Sequence, residues 1–340
     1  MKPANLLWNH NRKSAKMFLG IDTSNYTTSL ALVKDEKIIA QTRRVLEVKA
    51  GERGLRQSEA LYQHIVNLPE LFDALSKQVD YAGKIKAVGV SEKPRPLEDS
   101  YMPVFRSGIL AATALSKSLG IPMYRFSHQD NHIRAALFDN QMSGLNAGKH
   151  IRFPFLAVHF SGGTSEIVLV KKVTTSGYVG EIVSQTLDLN AGQLIDRIGV
   201  ALGLAFPAGR ELEALALRAS QKDFKINTSL DDANFHFSGQ ENAAKKAIAD
   251  GIAAEEIAYA VFDNVARTLS RVIRRLKETT DAHDALFSGG VMANSIIRSV
   301  LEEKLFRSGI GLHFSDAALA TDHAVGLALL AEEVYQGVIQ

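Results

Sequence analysis

At 340 residues the chain is long enough for two domains of ordinary size, each with a buried core of its own. Apolar residues make up 46% and charged residues 22%, an ordinary soluble globular balance, and no run of eighteen or more apolar residues occurs, which excludes an apolar membrane-spanning helix. Lys and Arg number 39 against 37 Asp and Glu, so a net charge of +2 makes the whole molecule no nucleic-acid magnet, and the lack of cysteine excludes disulfides, zinc ribbons and a thiol nucleophile.

The opening "MKPANLLWNHNRKSAK" has neither the apolar core nor the cleavage site of a secretory signal, so residues 1–16 read as an extension or a non-native remnant, and the lack of cysteine agrees with a cytoplasmic home. From Met17, "MFLGI", "TTSLALV" and "IIAQTRRV" read as strands joined by tight turns. A helix is expected over 58–77, where Leu61, Ile65, Leu68, Phe72 and Leu75 recur at spacings of three and four, with Pro69 kinking or dividing it. "IKAVGVS" follows as a short buried strand, and "GILAATALSKSLG" as a helix stopped by Gly120 and Pro122. This order is that of a ribonuclease-H-like lobe.

The second half opens in the same way, with "FLAVHFSGGTSEIVLVKKV" as a hairpin and "GYVGEIVSQTLD" as a further strand. Helices are expected over 191–203, 209–219 and roughly 253–278, the last with Ile257, Val261, Val265, Leu269, Val272 and Leu276 on one face. The repetition predicts a duplicated α/β fold of two lobes: 17–125 together with a C-terminal helix at about 318–340, and 126–317.

Several residue groups could carry chemistry. "FSGG" occurs at 160–163 and at 287–290, each time directly after a strand; such glycine turns let backbone amides approach a phosphate, and the pair is expected on opposite lobes. No G-x-x-x-x-G-K-[ST] is present, which argues against a Walker-type NTPase. His128 and His132 stand four apart in a helical segment, the spacing by which two imidazoles grip one metal, and Asp322 or His323 in "ALATDHAVG" offers a third ligand. The residue after the first His is Gln129 rather than the Glu of an H-E-x-x-H peptidase, which counts against metallopeptidase chemistry. Asp196 suits either a helix carboxylate paired with Arg197 or Arg210 or an acceptor for a ribose hydroxyl. Arg267, Arg271, Arg274 and Arg275 form either a solvated helix face or a phosphate contact.

Taken in order, "GIDTS", "HQDNH", "FSGGTSE", "AGQLIDRIGVALGLAFPAG", "FHFSG", "SGGVMAN" and "ATDHA" resemble the TsaD/Kae-type family of tRNA threonylcarbamoyl-adenosine transferases, once called O-sialoglycoprotein endopeptidases. The resemblance implies the actin-like ATPase fold of sugar kinases, Hsp70 and actin, with two ribonuclease-H-like lobes around a nucleotide cleft. It further implies transfer of a threonylcarbamoyl group from its adenylate to N6 of the adenosine next to the anticodon. By the same likeness, His128, His132 and Asp322 match the family's metal ligands. His159, Phe160, Ser161, Gly162 and Gly163 match the loop that holds the adenylate, and Asp196, Gly209 and Asn294 match further nucleotide contacts. The implied cofactors are one divalent metal (iron or zinc, or magnesium accompanying nucleotide) and ATP or an acyl-adenylate. The implied partners are tRNA and either TsaB- and TsaE-like proteins or a second copy of the chain, with no membrane.

The sequence also departs from the family pattern. The first loop, S-C-D-E-T in the family, is Ser24-Asn25-Tyr26-Thr27-Thr28 and loses both acids; the P-G-L-x-G loop becomes the longer stretch 91–108. S-G-G-H-T becomes Ser161-Gly162-Gly163-Thr164-Ser165, the acidic pair before A-x-G-E is reduced to Asp188, and Gln193 replaces Glu. Kept metal and nucleotide residues beside changed loops suggest a divergent paralogue, whose acceptor could differ. A non-catalytic scaffold partner is the further alternative, against which the kept His pair argues.

Overall fold

The computed structural model describes residues 16–24, 26–48, 55–142, 151–315 and 322–339. Most of the N-terminal extension and Asn25 of the altered first loop lie outside them. In chain order the elements are β1 (Met17–Asp22), β2 (Thr27–Lys34), β3 (Lys37–Val45), α1 (Gln57–Gln78), β4 (Ile85–Lys93), α2 (Phe105–Leu119), β5 (Met123–Ser127) and α3 (His128–Met142). There follow β6 (Phe155–Phe160), β7 (Ser165–Thr174), β8 (Gly177–Gln185), α4 (Ala191–Ala201), α5 (Gly209–Ala216), β9 (Ser229–Asp231), β10 (Asn234–His236), α6 (Ser238–Ala249) and α7 (Ala254–Thr279). The last are β11 (Asp284–Ser288), a 3-10 turn (Gly290–Ala293), α8 (Ser295–Leu305), β12 (Gly311–Phe314) and α9 (Val325–Gln336). Two compact units result, one drawn from 1–131, 175–177 and 322–340, the other from 132–174 and 178–321.

Each unit is built on a five-stranded mixed sheet. In unit 1 the order is β3-β2-β1-β4-β5, with β1 antiparallel to β2 and parallel to β4. In unit 2 the order is β12-β11-β6-β7-β8, with β6 antiparallel to β7 and parallel to β11. The two sheets therefore repeat one plan, a hairpin meander extended by parallel strands, which is the ribonuclease-H-like duplication expected from the order of elements.

All six apolar residues predicted to line the long helix are buried on α7. The helix predicted at 58–77 is α1, and it runs unbroken through Pro69. Its inner face, however, carries Ala60, His64, Asn67, Leu68, Leu71 and Leu75, while Ile65 is 49% exposed. The rotation has a polar cause: His64 Nδ1 lies 2.8 Å from Thr28 Oγ1 of β2, and Asn67 Nδ2 donates to the same hydroxyl at 3.2 Å.

The C-terminal helix α9 packs on β1 and β4 of unit 1 with two strand glycines beneath it. A Cβ at Gly89 would overlap the carbonyl of Leu327, and one at Gly20 would lie 2.9 Å from Ala328 N. Only glycine lets the backbones of strand and helix approach this closely. The approach fixes the residues that precede α9, Asp322 among them, against the strand ends of unit 1.

Candidate functional site

The buried ends of β1 and β4 in unit 1 converge on a carboxylate the sequence reading did not single out. Asp22, fully buried, accepts from Ser24 N (3.1 Å), Ser24 Oγ (2.8 Å), Ser91 Oγ (2.5 Å) and Asn131 Nδ2 (3.3 Å), and its Oδ2 lies 3.2 Å from His128 Nδ1. The other ring nitrogen, His128 Nε2, lies 3.4 Å from Asp322 Oδ1. One imidazole is thus held at both nitrogens by carboxylates. The available signal was an acid closing the otherwise apolar strand "MFLGID".

Burial alone would lower the pKa of His128, but the Asp22 carboxylate, and after it Asp322, outweigh burial and push it up to about 10. Asp22 shows the reciprocal effect: burial raises its pKa, yet His128 and the Ser91 hydroxyl bring it below the usual value. Asn131 ties the arrangement together. Its Nδ2 also donates to the carbonyl of His323, and its Oδ1 accepts from Leu327 N at 3.1 Å, so it clamps α3 to the start of α9.

His132 lies one turn beyond His128 on α3. His128, His132 and Asp322 each offer one ligand atom, and these atoms lie within 4.8 Å of one another. Two imidazoles and a carboxylate form a donor set suited to a divalent transition metal with positions left for substrate. Of the two C-terminal residues left open by spacing, Asp322 faces His128, whereas His323 Nδ1 accepts from Val325 N at 3.2 Å. The His132 ring also lies beside His159, with centroids 4.8 Å apart.

In unit 2 the two S-G-G turns are neighbours. The expectation that they lie on opposite lobes is corrected by the pairing of β6 with β11 as adjacent parallel strands, Ser288 opposite His159. His159 Nδ1 is 3.0 Å from Ser288 Oγ. Gly289 has a φ of 93°, and a Cβ there would overlap the carbonyl of Phe160, which is why the second turn needs glycine. The first turn closes on itself: Ser161 Oγ accepts from Gly163 N (3.3 Å) and Thr164 N (3.1 Å). The serine hydroxyl thus satisfies both amides within the turn itself. Gly192 brings α4 under the turn; its N donates to Ser161 O at 3.2 Å, and a Cβ would lie 2.7 Å from Gly162 N.

Asp196 braces the turn between α4 and α5 rather than pairing with Arg197, which bonds Glu241 at 3.0 Å. Its Oδ1 accepts from Ala208 N at 2.9 Å, and burial raises its pKa against the pull of the Ala208 and Gly209 amides. Gly209 is the first residue of α5, where a Cβ would meet Ile195 Cγ2 at 3.9 Å, an ordinary contact. Asn294 is the N-cap of α8, its Oδ1 accepting from Ile297 N at 2.9 Å. Asp188, the survivor of the acidic pair, accepts from Phe237 N (2.8 Å) and Ser238 N (3.2 Å) and so joins two of the sequence motifs. Gln193, in place of Glu, still completes a capping box with Asn190.

The four arginines of α7 are engaged within unit 2. Arg267 bonds Asp263 and the Ile226 carbonyl, Arg271 bonds Thr228, Arg274 the Lys304 carbonyl, and Arg275 pairs with Asp232. A cavity of about 840 Å³ in the same unit is lined in part by Arg275 and Asp232, and by none of the residues of the two S-G-G turns nor by Asp196, Gly209 or Asn294. Its two cations, Lys171 and Arg275, are paired with Glu181 and Asp232.

Among known proteins, the family described as "TsaD: tRNA N6-adenosine threonylcarbamoyltransferase" matches residues 37–329. The tRNA N6-adenosine threonylcarbamoyltransferase of Phocaeicola vulgatus is 26% identical over 326 residues, 92% of each chain. That of Bacillus subtilis is 28% identical over 322 residues, 91% of this chain and 88% of the other. That of a Sulfurihydrogenibium species is 30% identical over 321 residues, with the same coverage.

Similar solved structures include full-length HypF in its phosphate- and nucleotide-bound form (TM-score 0.58, 13% identity, 96% of this chain and 57% of that one). A ROK family glucokinase from Streptomyces griseus in complex with glucose and AMPPNP has a TM-score of 0.52 at 12% identity, covering 93% and 99%. The activator of 2-hydroxyisocaproyl-CoA dehydratase from Clostridium difficile with bound ADPNP has 0.52 at 14%, covering 96% and 98%. At these identities they show the fold, that of actin-like ATPases.

Proposed function

Because the chain belongs to the TsaD family of tRNA N6-adenosine threonylcarbamoyltransferases, we propose that it moves a threonylcarbamoyl group from threonylcarbamoyl-adenylate to N6 of the adenosine adjacent to the anticodon. The observation that carries this reading is the convergence of His128, His132 and Asp322, with ligand atoms within 4.8 Å of one another. These residues would hold one divalent metal, iron or zinc. When bound, the metal supplies Lewis-acid polarisation and anchoring of the carbamoyl oxygen.

The rest of the chemistry asks little of the protein beyond position. The acyl group arrives activated as a mixed anhydride with AMP, so the N6 amine attacks the carbamoyl carbon, a C–N bond forms, the bond to the phosphate oxygen breaks and the amine loses a proton. No protein nucleophile is needed, and orientation accounts for much of the rate. Asp22 holds His128 by Nδ1 and leaves Nε2 toward Asp322, the outer-shell arrangement that fixes a ligating imidazole. The Gly163 and Thr164 amides, now satisfied by Ser161 Oγ, would take the AMP phosphate in its place. Asp196, Gly209 and Asn294 are assigned to the nucleoside of the same leaving group. The reaction is placed in the cytoplasm, with TsaB- and TsaE-like partners or a second copy of the chain.

Purified protein, given threonylcarbamoyl-adenylate, tRNA and the family's partner proteins, is expected to modify the adenosine. His128→Ala and Asp322→Ala are expected to lose both bound metal and product, and unmodified tRNA with the parent protein refutes the reading. A different acceptor is the second reading, favoured by the longer stretch 91–108. Grafting the family's short glycine-rich loop there would restore tRNA modification if that stretch alone redirects the acceptor.

A further inference from the structure

We propose that the segment from Pro94 to Val104 is an RNA-recognition element in which the Tyr101 ring, backed by the Arg106 guanidinium, stacks on a nucleobase close to the acceptor adenosine. The inference rests on the reading above in one respect, that the acceptor is an RNA.

The first support is placement. The segment is tied at both ends to residues around His128. At its start, the Pro94 carbonyl accepts from Gln129 N at 3.1 Å, the residue next to His128. At its end, Thr23 Oγ1 donates to the Val104 carbonyl at 3.0 Å and accepts from Gly108 N at 3.1 Å. Phe105, 2% exposed, sets its ring edge-on to the His128 imidazole with centroids 6.5 Å apart. Tyr101 is four residues upstream of Phe105, a chain reach of at most about 14 Å, or roughly four nucleotides of a stacked strand at 3.4 Å each. A base on Tyr101 is therefore a near neighbour of one whose N6 reaches the metal ligands.

The second support is local order. Arg95 N donates to Ser100 Oγ at 3.1 Å and Ser100 N to the Leu97 carbonyl at 3.3 Å, so the segment folds on itself. Pro94, Pro96 and Pro103 fix three φ angles within it. A segment ordered before the ligand arrives loses less entropy when it binds.

The third support is chemistry. Tyr101 is 60% exposed although its ring has a cation against it, the Arg106 guanidinium 5.5 Å from its centroid. Single exposed aromatics are common on protein surfaces; one paired with arginine, in a segment tied to the residue next to a candidate metal ligand, is not explained by packing. An aromatic ring and a guanidinium plane are what unstacked bases of single-stranded RNA loops use for stacking.

The test uses the full chain and a fluorescently labelled tRNA anticodon stem-loop, read by anisotropy, with steady-state kinetics on tRNA alongside. Tyr101→Ala is expected to weaken RNA binding by roughly 5- to 150-fold, the span of one base–aromatic stack. It should raise KM and leave kcat nearly unchanged, with metal content and melting temperature matching the parent. Tyr101→Phe should bind like the parent, since the ring and not the hydroxyl makes the stack. Parent protein that binds RNA while Tyr101→Ala binds equally well overturns this inference alone, as does a phenylalanine variant as weak as the alanine one. Parent protein that binds no RNA overturns the RNA-acceptor reading and the inference with it.

Discussion

Replacing Asp22 with alanine should be among the most damaging single changes in unit 1. The carboxylate is fully buried and meets five polar groups: Ser24 N, Ser24 Oγ, Ser91 Oγ, Asn131 Nδ2 and His128 Nδ1. Removing one side of a buried ion pair costs about 3–5 kcal/mol, because the other charge stays behind without its partner. The loss should also depend on pH in the metal-free protein. The folded pKa of His128, about 10, lies above its ordinary 6.5, so its contribution is complete below about pH 6.5 and lost as pH rises through 10. Asp22 has the opposite sign: its folded pKa lies below 3.8, so its contribution is complete above that value and lost as pH falls through the lower one. The windows overlap between about pH 4 and 6.5, where Asp22→Ala should fall furthest below the parent. Urea unfolding followed by circular dichroism at about pH 5.5 and about pH 9.5 measures this. Asp22→Asn, which keeps the shape without the charge, should lie between. An alanine variant as stable as the parent at both values, or a deficit larger at the alkaline one, refutes the reasoning.

Three further outcomes follow from other parts of the molecule. Gly89→Ala should lower stability by about 1–3 kcal/mol, the usual range for overpacking, since its Cβ would overlap the Leu327 carbonyl; thermal unfolding reads it. Asp188 has a pKa of about 2, where the Ser238 hydroxyl and the Phe237 and Leu189 amides outweigh burial. Its contribution is therefore present above 3.8 and lost as pH falls through about 2, so the gap in melting temperature between parent and Asp188→Asn should close over that interval. Asn294→Ala should cost about 1 kcal/mol by uncapping α8, whereas Asn294→Asp should keep the cap. If Asn294 also contacts nucleotide through its amide donor, Asp should preserve stability yet weaken AMP binding in calorimetry.

The elements were legible in the sequence wherever apolar spacing was the only force at work, and less so where polar groups or long-range pairing intervened. The face of α7 could be read directly, because all six apolar residues serve one core. That of α1 could not, because His64 and Asn67 turn inward to meet Thr28, a contact 36 or more residues away that no local period encodes. The repeated FSGG showed two strand ends but not their adjacency, since parallel strands pair across crossovers whose partners the sequence does not mark. At the metal-binding candidate, the histidine pair followed from i,i+4 spacing. The choice of Asp322 over His323 needed either the family resemblance or the sight of His323 turned to Val325 N. Asp22 escaped notice because a lone carboxylate at a strand end looks ordinary until its five partners are visible.

The docking of α9 on β1 and β4 has a consequence for biogenesis. Unit 1 begins near the N terminus, yet its helix and one carboxylate beside His128 come from residues after 321, so about 190 residues of unit 2 must be translated in between. At roughly 5–20 residues per second, the β1–β4 surface waits on the order of 10–40 s on the ribosome with its glycine floor uncovered. Through that interval the nascent chain presents an apolar sheet face to chaperones, and a ribosome that stalls before residue 322 releases a polypeptide in which His128 lacks the second of its two acidic neighbours.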